Sequence, residues 1–177
     1  MPDERSDAPP VRIRLRRHRD GRVTLTCSRA DGSVTWQRQQ GASARFFPFH
    51  DLTHFAVETV LANRRGFYRL IADGWDIGDF GAPWPRGRLP PEAAETELLV
   101  GLFDMERASG AEWTARDFEE QAERHGESRE HAGNGAVLTD SQLVAIRRSM
   151  RDLFARWNAV PPDGTLELEF APPSGRS

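Results

Sequence analysis

Apolar and basic residues alternate without a break at the start of this chain, with Val11, Ile13 and Leu15 set against Arg12, Arg14 and Arg16. Near the other end Leu166, Leu168 and Phe170 alternate with Glu167 and Glu169. A period of two is that of a strand with one face on a core and one in water. The two outer faces carry opposite charges, so antiparallel pairing sets each Arg against a Glu. Both ends of the chain are therefore expected in one sheet, and everything between them must leave that sheet and return. The alternation continues in Val23, Leu25 and Cys27 against Arg22, Thr24 and Thr26. The separators Arg19-Asp20-Gly21 and Ala30-Asp31-Gly32 hold Asp-Gly pairs, which favour hairpin turns. A third strand, Ser33 to Arg38, is expected to turn Val34 and Trp36 inward. The predicted N-terminal unit is an antiparallel β-meander that the C-terminal strand joins.

From Phe49 the spacing becomes helical. His50 to Asn63 reads as a first helix, stopped near Arg64-Arg65-Gly66, and Gly66 to Ala72 as a short second one ending at Asp73-Gly74. Residues 75–91 mix Gly and Pro with aromatics and read as a long ordered loop or lid, in which Trp75, Phe80 and Trp84 either stack on a ligand or pin the loop down. Pro90-Pro91 opens a helix through Ala108, ended by Gly110, with Leu98, Leu102 and Met105 on one face beside Leu99 and Phe103. Thr114 with Asp117 opens a charged helix that fades before Gly133-Asn134-Gly135. Thr139 with Gln142 forms a capping box for a helix over about 140–158, whose inward residues are Leu143, Ile146, Met150, Leu153, Phe154 and Trp157. The sum is an α+β domain over 11–170, its sheet packed against a layer of about four to five helices. Residues 1–10 and 171–177 have the composition of disordered termini.

Charge and composition narrow the function. All 24 basic residues are Arg, against 27 acidic ones, for a net charge of −3. Without a cationic excess to release counterions, no nucleic-acid partner is expected. Apolar runs such as Leu98-Leu99-Val100 fall far short of the ~20 residues that cross a bilayer, so no membrane span is expected. The opening MPDERSDAPP lacks an apolar core, so a secretory signal is not expected and a cytoplasmic location is. The single cysteine, Cys27, rules out an internal disulfide and, alternating inward on a strand, reads as a small core residue. Phosphate-loop, dinucleotide-binding and nucleophile-elbow motifs are all missing.

One stretch carries chemistry: Phe49-His50-Asp51-Leu52-Thr53-His54-Phe55-Ala56-Val57-Glu58. Wound at about 100° per residue, it places His50, His54, Glu58 and Asp51 within about 100° of one another. Phe49, Leu52, Phe55, Ala56, Thr59 and Val60 form a broad apolar stripe opposite. Val57 and Leu61 edge the histidine side, so the imidazoles are expected to be largely buried. Histidines four apart on a helix can bring two ring nitrogens to one divalent ion, with an intervening carboxylate as general base. Asp51 occupies the place of that base, one methylene shorter than a Glu. Glu58 is expected either as a further ligand or as a carboxylate orienting His54. A third ligand is still needed, and Asp73, Asp76, Asp79, Glu106, His125 and His131 are all available.

The pattern Pro48-x-His50-Asp51-Leu52-x-His54-Phe55-x-Val57-Glu58, followed by Gly66-Phe67-Tyr68-x-x-Ile71-Ala72-x-Gly74, resembles a set of uncharacterised bacterial proteins with a Pro-x-His-Asp-Leu-x-His-x-x-Val-Glu helix. The resemblance covers about 30 residues and implies no activity. The His-Asp-x-x-His core is also similar to the zinc-motif protein of ubiquinone biosynthesis. That family places a Glu twelve positions after the second His, where this chain has Gly66, and its fold is all-helical, so the quinone function is not carried over.

Two functional readings follow. In one, the chain is a small divalent-metal (zinc-type) or acid/base enzyme, with His50, His54 and Glu58 as metal ligands, Asp51 and Glu58 as catalytic groups, and a small-molecule ligand under the 75–91 loop. In the other it is a non-catalytic binding module. There the same residues form a buried polar network, and a protein partner or a second copy of the chain is expected.

Overall fold

The computed structural model describes residues 9–62, 65–126 and 138–172. Among them the chain forms strands β1 (Val11–Arg17), β2 (Val23–Ser28), β3 (Val34–Gln39) and β4 (Thr165–Phe170). Its helices are α1 (Ala42–Val60), α2 (Phe67–Ala72), α3 (Pro91–Ser109), α4 (Ala115–Gly126) and α5 (Asp140–Asn158). The strands make one antiparallel sheet in the order β3-β2-β1-β4. The fold is α+β, and the chain's two ends meet in neighbouring strands. Arg12 stands opposite Glu169 and Arg14 opposite Glu167. The Arg14 guanidinium lies 3.0 Å from the Glu167 carboxylate. This pair is half-exposed, so it contributes well under about 1 kcal/mol and acts mainly on register.

The inner face of the sheet carries Val11, Ile13, Leu15, Leu25, Cys27, Leu166, Leu168 and Phe170, all buried. They share one core with the apolar faces of α1, α3 and α5. α1 packs against both α3 and α5, which makes it the most enclosed helix. The capping box at Thr139 and Gln142 forms as expected, with Gln142 N donating to Thr139 Oγ1 and Thr139 N to Gln142 Oε1. α5 buries Leu143, Ile146, Met150, Leu153 and Trp157. No helix among the described residues is long and apolar enough to cross a membrane.

Several expectations are corrected. β3 has the opposite phase: Val34 and Trp36 are exposed, and Thr35 and Gln39 face inward. Register requires this, because Trp36 pairs with outward Thr26 and Thr35 with inward Cys27, and residues opposite one another point to the same side. The inward polar groups have work there. Thr35 Oγ1 accepts the Ile77 amide at 2.9 Å, and Gln39 reaches α1. α1 begins at Ala42, well before the expected His50, and runs through Pro48. A proline inside a helix removes one ladder bond, which is why it reads from sequence as a helix start. Here Gly41, in the left-handed region at φ 58°, turns the chain out of β3 and into the helix. α1 ends at Val60; the expected end at Asn63 lies outside the described residues, as do Arg64, Gly133-Asn134-Gly135, His131 and the outer parts of both termini. Thr59 and Met105, expected to face the core, are exposed.

Candidate metal centre

α1 is buried almost all round along its C-terminal half: Asp51, Leu52, Thr53, His54, Ala56, Val57 and Glu58 are all enclosed. Its polar side chains must therefore find partners inside the protein. His50 and His54, one turn apart, bring their rings to 4.9 Å between centroids. The facing helix, α3, supplies two carboxylates two turns apart, Glu97 and Asp104. His50 Nδ1 lies 2.6 Å from Asp104 Oδ2, and Arg107 donates to the other oxygen of Asp104 at 3.0 Å. His54 Nδ1 lies 3.2 Å from Glu58 Oε1. Each ring thus has Nδ1 on a carboxylate, which fixes its orientation and would leave Nε2 for a metal ion.

His54 Nε2 faces Glu97, with Oε1 at 3.1 Å. That is ion-pair distance, and Nε2, fully buried, has Glu97 as its charged neighbour on this side. His50, His54 and Glu97 each offer a ligand atom, and all three lie within 4.8 Å of one another. Ligands at tetrahedral angles on bonds of ~2.1 Å stand about 3.4 Å apart, so closure on an ion needs side-chain shifts of about 1 Å. Glu97 is the more exposed member, with 29% of its side chain accessible against 2% for His54.

Charge around His54 is strongly biased. Burial opposes the imidazolium, but Glu97 and Glu58 on either side overcome it and raise the ring pKa from 6.5 to about 10. Asp51 moves the other way: burial raises its carboxyl from 3.8 to about 6, although the Gln39 amide donates to Oδ2 at 3.0 Å and His50 and His54 lie nearby. Burial, and secondarily Asp51, also raises the Cys27 thiol far above its ordinary range, in keeping with an inert core residue.

A cleft of about 380 Å³ opens onto this group. Its walls include His50, Asp51, His54 and Glu97, Gln37 of β3, Phe67 of α2, and Ile77, Gly78, Phe80, Gly81 and Ala82 of the 75–91 loop. The loop is pinned, not loose. Arg29 holds the Ile71 and Trp75 carbonyls and Asp76, and Phe80 packs 4.6 Å from Phe67 and 5.5 Å from Trp75. Trp84 takes no part in that packing and is exposed. Broader clefts, about 740 Å³ along α5 and about 1060 Å³ beside the β1–β2 turn, hold no comparable group among the described residues.

The expected site residues separate in space. His50, His54 and Asp51 line the cleft. Glu58 stands behind His54, where its carboxylate also accepts the amides of Tyr68 at 3.0 Å and Arg69 at 3.2 Å. It caps α2, whose own N-cap, Gly66, has no side chain to do so. Glu58 is in contact with His54 Nδ1 and is not in the group of possible ligand atoms formed by His50, His54 and Glu97. The third member of the group is Glu97, which sequence reasoning missed. The signal was its spacing from Asp104: Glu97, Gly101 and Asp104 make a polar or small stripe on a helix otherwise rich in buried apolar residues. The carboxylates considered instead are held by arginines: Asp73 by Arg65 and Arg69, Asp76 by Arg29, Asp79 by Arg86 and Glu106 by Arg147. His125 lies on α4, outside the group. The chain matches no family model, no curated protein and no solved structure.

Proposed function

We propose that the protein binds one divalent metal ion of the zinc type through His50, His54 and Glu97, and uses the cleft beside it for acid/base chemistry of the hydrolytic class. The observation that carries this reading is the convergence of ligand atoms of His50, His54 and Glu97 within 4.8 Å of one another, with the buried His54 Nε2 3.1 Å from Glu97 Oε1. Two imidazoles, each backed by a carboxylate, plus one carboxylate leave a coordination position open, the donor set of catalytic rather than structural zinc. When bound, such an ion supplies Lewis acidity at the floor of the cleft. Asp104 and Glu58 fix the ring orientations. Asp51 lines the same cleft, where its buried carboxylate is placed to take and return a proton. Gln39, donating to Oδ2, orients it and leaves Oδ1 for the proton.

A second reading is favoured by the flanking of His54 by Glu58 and Glu97, which also suits a permanent imidazolium between two carboxylates. In that case the group is a structural network and the protein a binding module. Metal analysis separates the two. Tag-free protein is stripped with chelator, titrated with Zn²⁺ by calorimetry, and compared with Glu97→Ala and His54→Ala. One zinc per chain in the parent, weakened at least about 100-fold in both variants, supports the metal centre. No zinc uptake, with a Tm indifferent to chelator, favours the network.

A further inference from the structure

We infer that the cleft beside this metal centre selects an uncharged ligand carrying a single aromatic ring, and discriminates against phosphorylated ones; the inference rests on the metal reading above. Aromatic rings flank the histidine pair on both sides. Phe47 stands edge-on to His50 at 5.9 Å, Phe67 lies 5.4 Å from His54, and Phe80 continues that wall 4.6 Å beyond Phe67. Ile77 adds an apolar side chain from the loop. Such walls favour edge-to-face or offset contact with a further ring.

The charges point the same way. Among the described residues lining the cleft there is no Arg, while Asp51 and Glu97 line it and Glu58 and Asp104 stand behind the histidines. Arg107 is committed to Asp104, and Arg86 to Asp79 and the Gly74 carbonyl. The charge of a divalent ion is offset by the carboxylates of the cleft, and among the described lining residues no Arg stands ready to meet a phosphate group, whose burial without a cation is costly. A neutral ligand meets Gln37, whose amide can donate and accept. At about 380 Å³ the space lies near the lower end of ligand sites, roughly 300–1,000 Å³, enough for one ring and a metal-binding group.

The test uses the Co²⁺-loaded protein, whose visible absorption reports ligands entering the metal's coordination, titrated with imidazole, 4-phenylimidazole and inorganic phosphate. The expected order is 4-phenylimidazole tighter than imidazole by about tenfold or more, from burial of the added ring, with phosphate weakest. Phe80→Ala should keep its Co²⁺ spectrum and reduce the advantage of 4-phenylimidazole to about threefold or less; Ile77→Ala gives the same reading from a second wall position, should loss of Phe80 unfold the loop. If Co²⁺ does not bind, the metal reading fails and this inference with it. If Co²⁺ binds but the two imidazoles bind alike, or phosphate binds tighter than either, selection for an uncharged ring is refuted and the metal centre stands.

Discussion

Gly66 has an extended backbone, φ −152° and ψ −162°, which any residue can adopt, so its reason for being glycine is space. A Cβ there would lie 2.4 Å from Glu58 Cδ, 2.6 Å from Oε1 and 2.7 Å from Cγ. Ordinary contact needs about 3.4–4 Å, so in Gly66→Ala the carboxylate must move by about 1 Å. Glu58 is 1% exposed and has no route to water. Moving it stretches the bonds from the Tyr68 and Arg69 amides, both near 3 Å, and the contact with His54 Nδ1. Bonds to a charged acceptor contribute about 1.5–3 kcal/mol each, and losing one to two of them gives an expected destabilisation of about 3 kcal/mol. For a chain of this size that is a fall in Tm of about 6–12 °C. Because Glu58 also holds the His54 ring, Zn²⁺ affinity should fall by about 10- to 100-fold. Urea unfolding in chelator reads the first effect and calorimetry the second, with Gly78→Ala, where a Cβ meets nothing within 4 Å, as control. A Gly66→Ala protein within about 0.5 kcal/mol of the parent would refute the argument. A loss of stability with unchanged zinc affinity would leave Glu58 as a helix cap and remove its role behind His54.

The remaining expectations rest on other contacts. Asp51→Asn should stabilise the metal-free protein above pH 6 by about 3 kcal/mol, since a carboxyl raised in the fold from 3.8 to about 6 costs stability as pH rises through that window. The gain should shrink as pH falls from about 6 through 3.8 and be small at pH 3.5, where wild-type Asp51 is mostly neutral in both states, and urea curves from pH 3.5 to 7.5 that show a constant gain would contradict this origin. Tyr68 is the chain's only tyrosine, and burial, with Asp51 next, raises its phenol well above 10.0. Absorbance at 295 nm should therefore show no phenolate at pH 10 in the folded state, and the stability present below that pH should be lost above it, where the unfolded chain ionises and the folded one does not. Arg14→Glu should cost at most about 1 kcal/mol and be restored by Glu167→Arg, and a double variant no more stable than Arg14→Glu alone would show that the pair contributes nothing to strand register.

How far the sequence could be read depended on whether an element's environment lay within its own period. β1 and β4 were legible because their inner and outer faces each have a single surrounding, core or water, and because Arg12 and Arg14 find their complements in Glu169 and Glu167. α5 was legible because Thr139 and Gln142 cap it locally. β3 was misread because its inner face meets polar groups, the Ile77 amide and the Asp51 carboxylate, so its apolar residues mark the outside. The start of α1 was hidden by Pro48, which the enclosed helix accommodates.

The site divides along the same line. His50, Asp51, His54 and Glu58 lie on one helix and were found from one wheel. Glu97 and Asp104 lie on another, and no period within α1 says that α3 will face it. Once the two helices are paired, the spacing matches: histidines one turn apart meet carboxylates two turns apart, so Asp104 takes His50 from behind while Glu97 reaches the open side of His54. Glu58 has other partners for a reason the wheel could not contain. The second and third amides of α2, those of Tyr68 and Arg69, need an acceptor, Gly66 has no side chain to supply one, and the only carboxylate among the described residues that meets them both is Glu58. Its carboxylate is engaged by that helix end and by His54, and the group that could hold an ion draws its carboxylate, Glu97, from α3 instead.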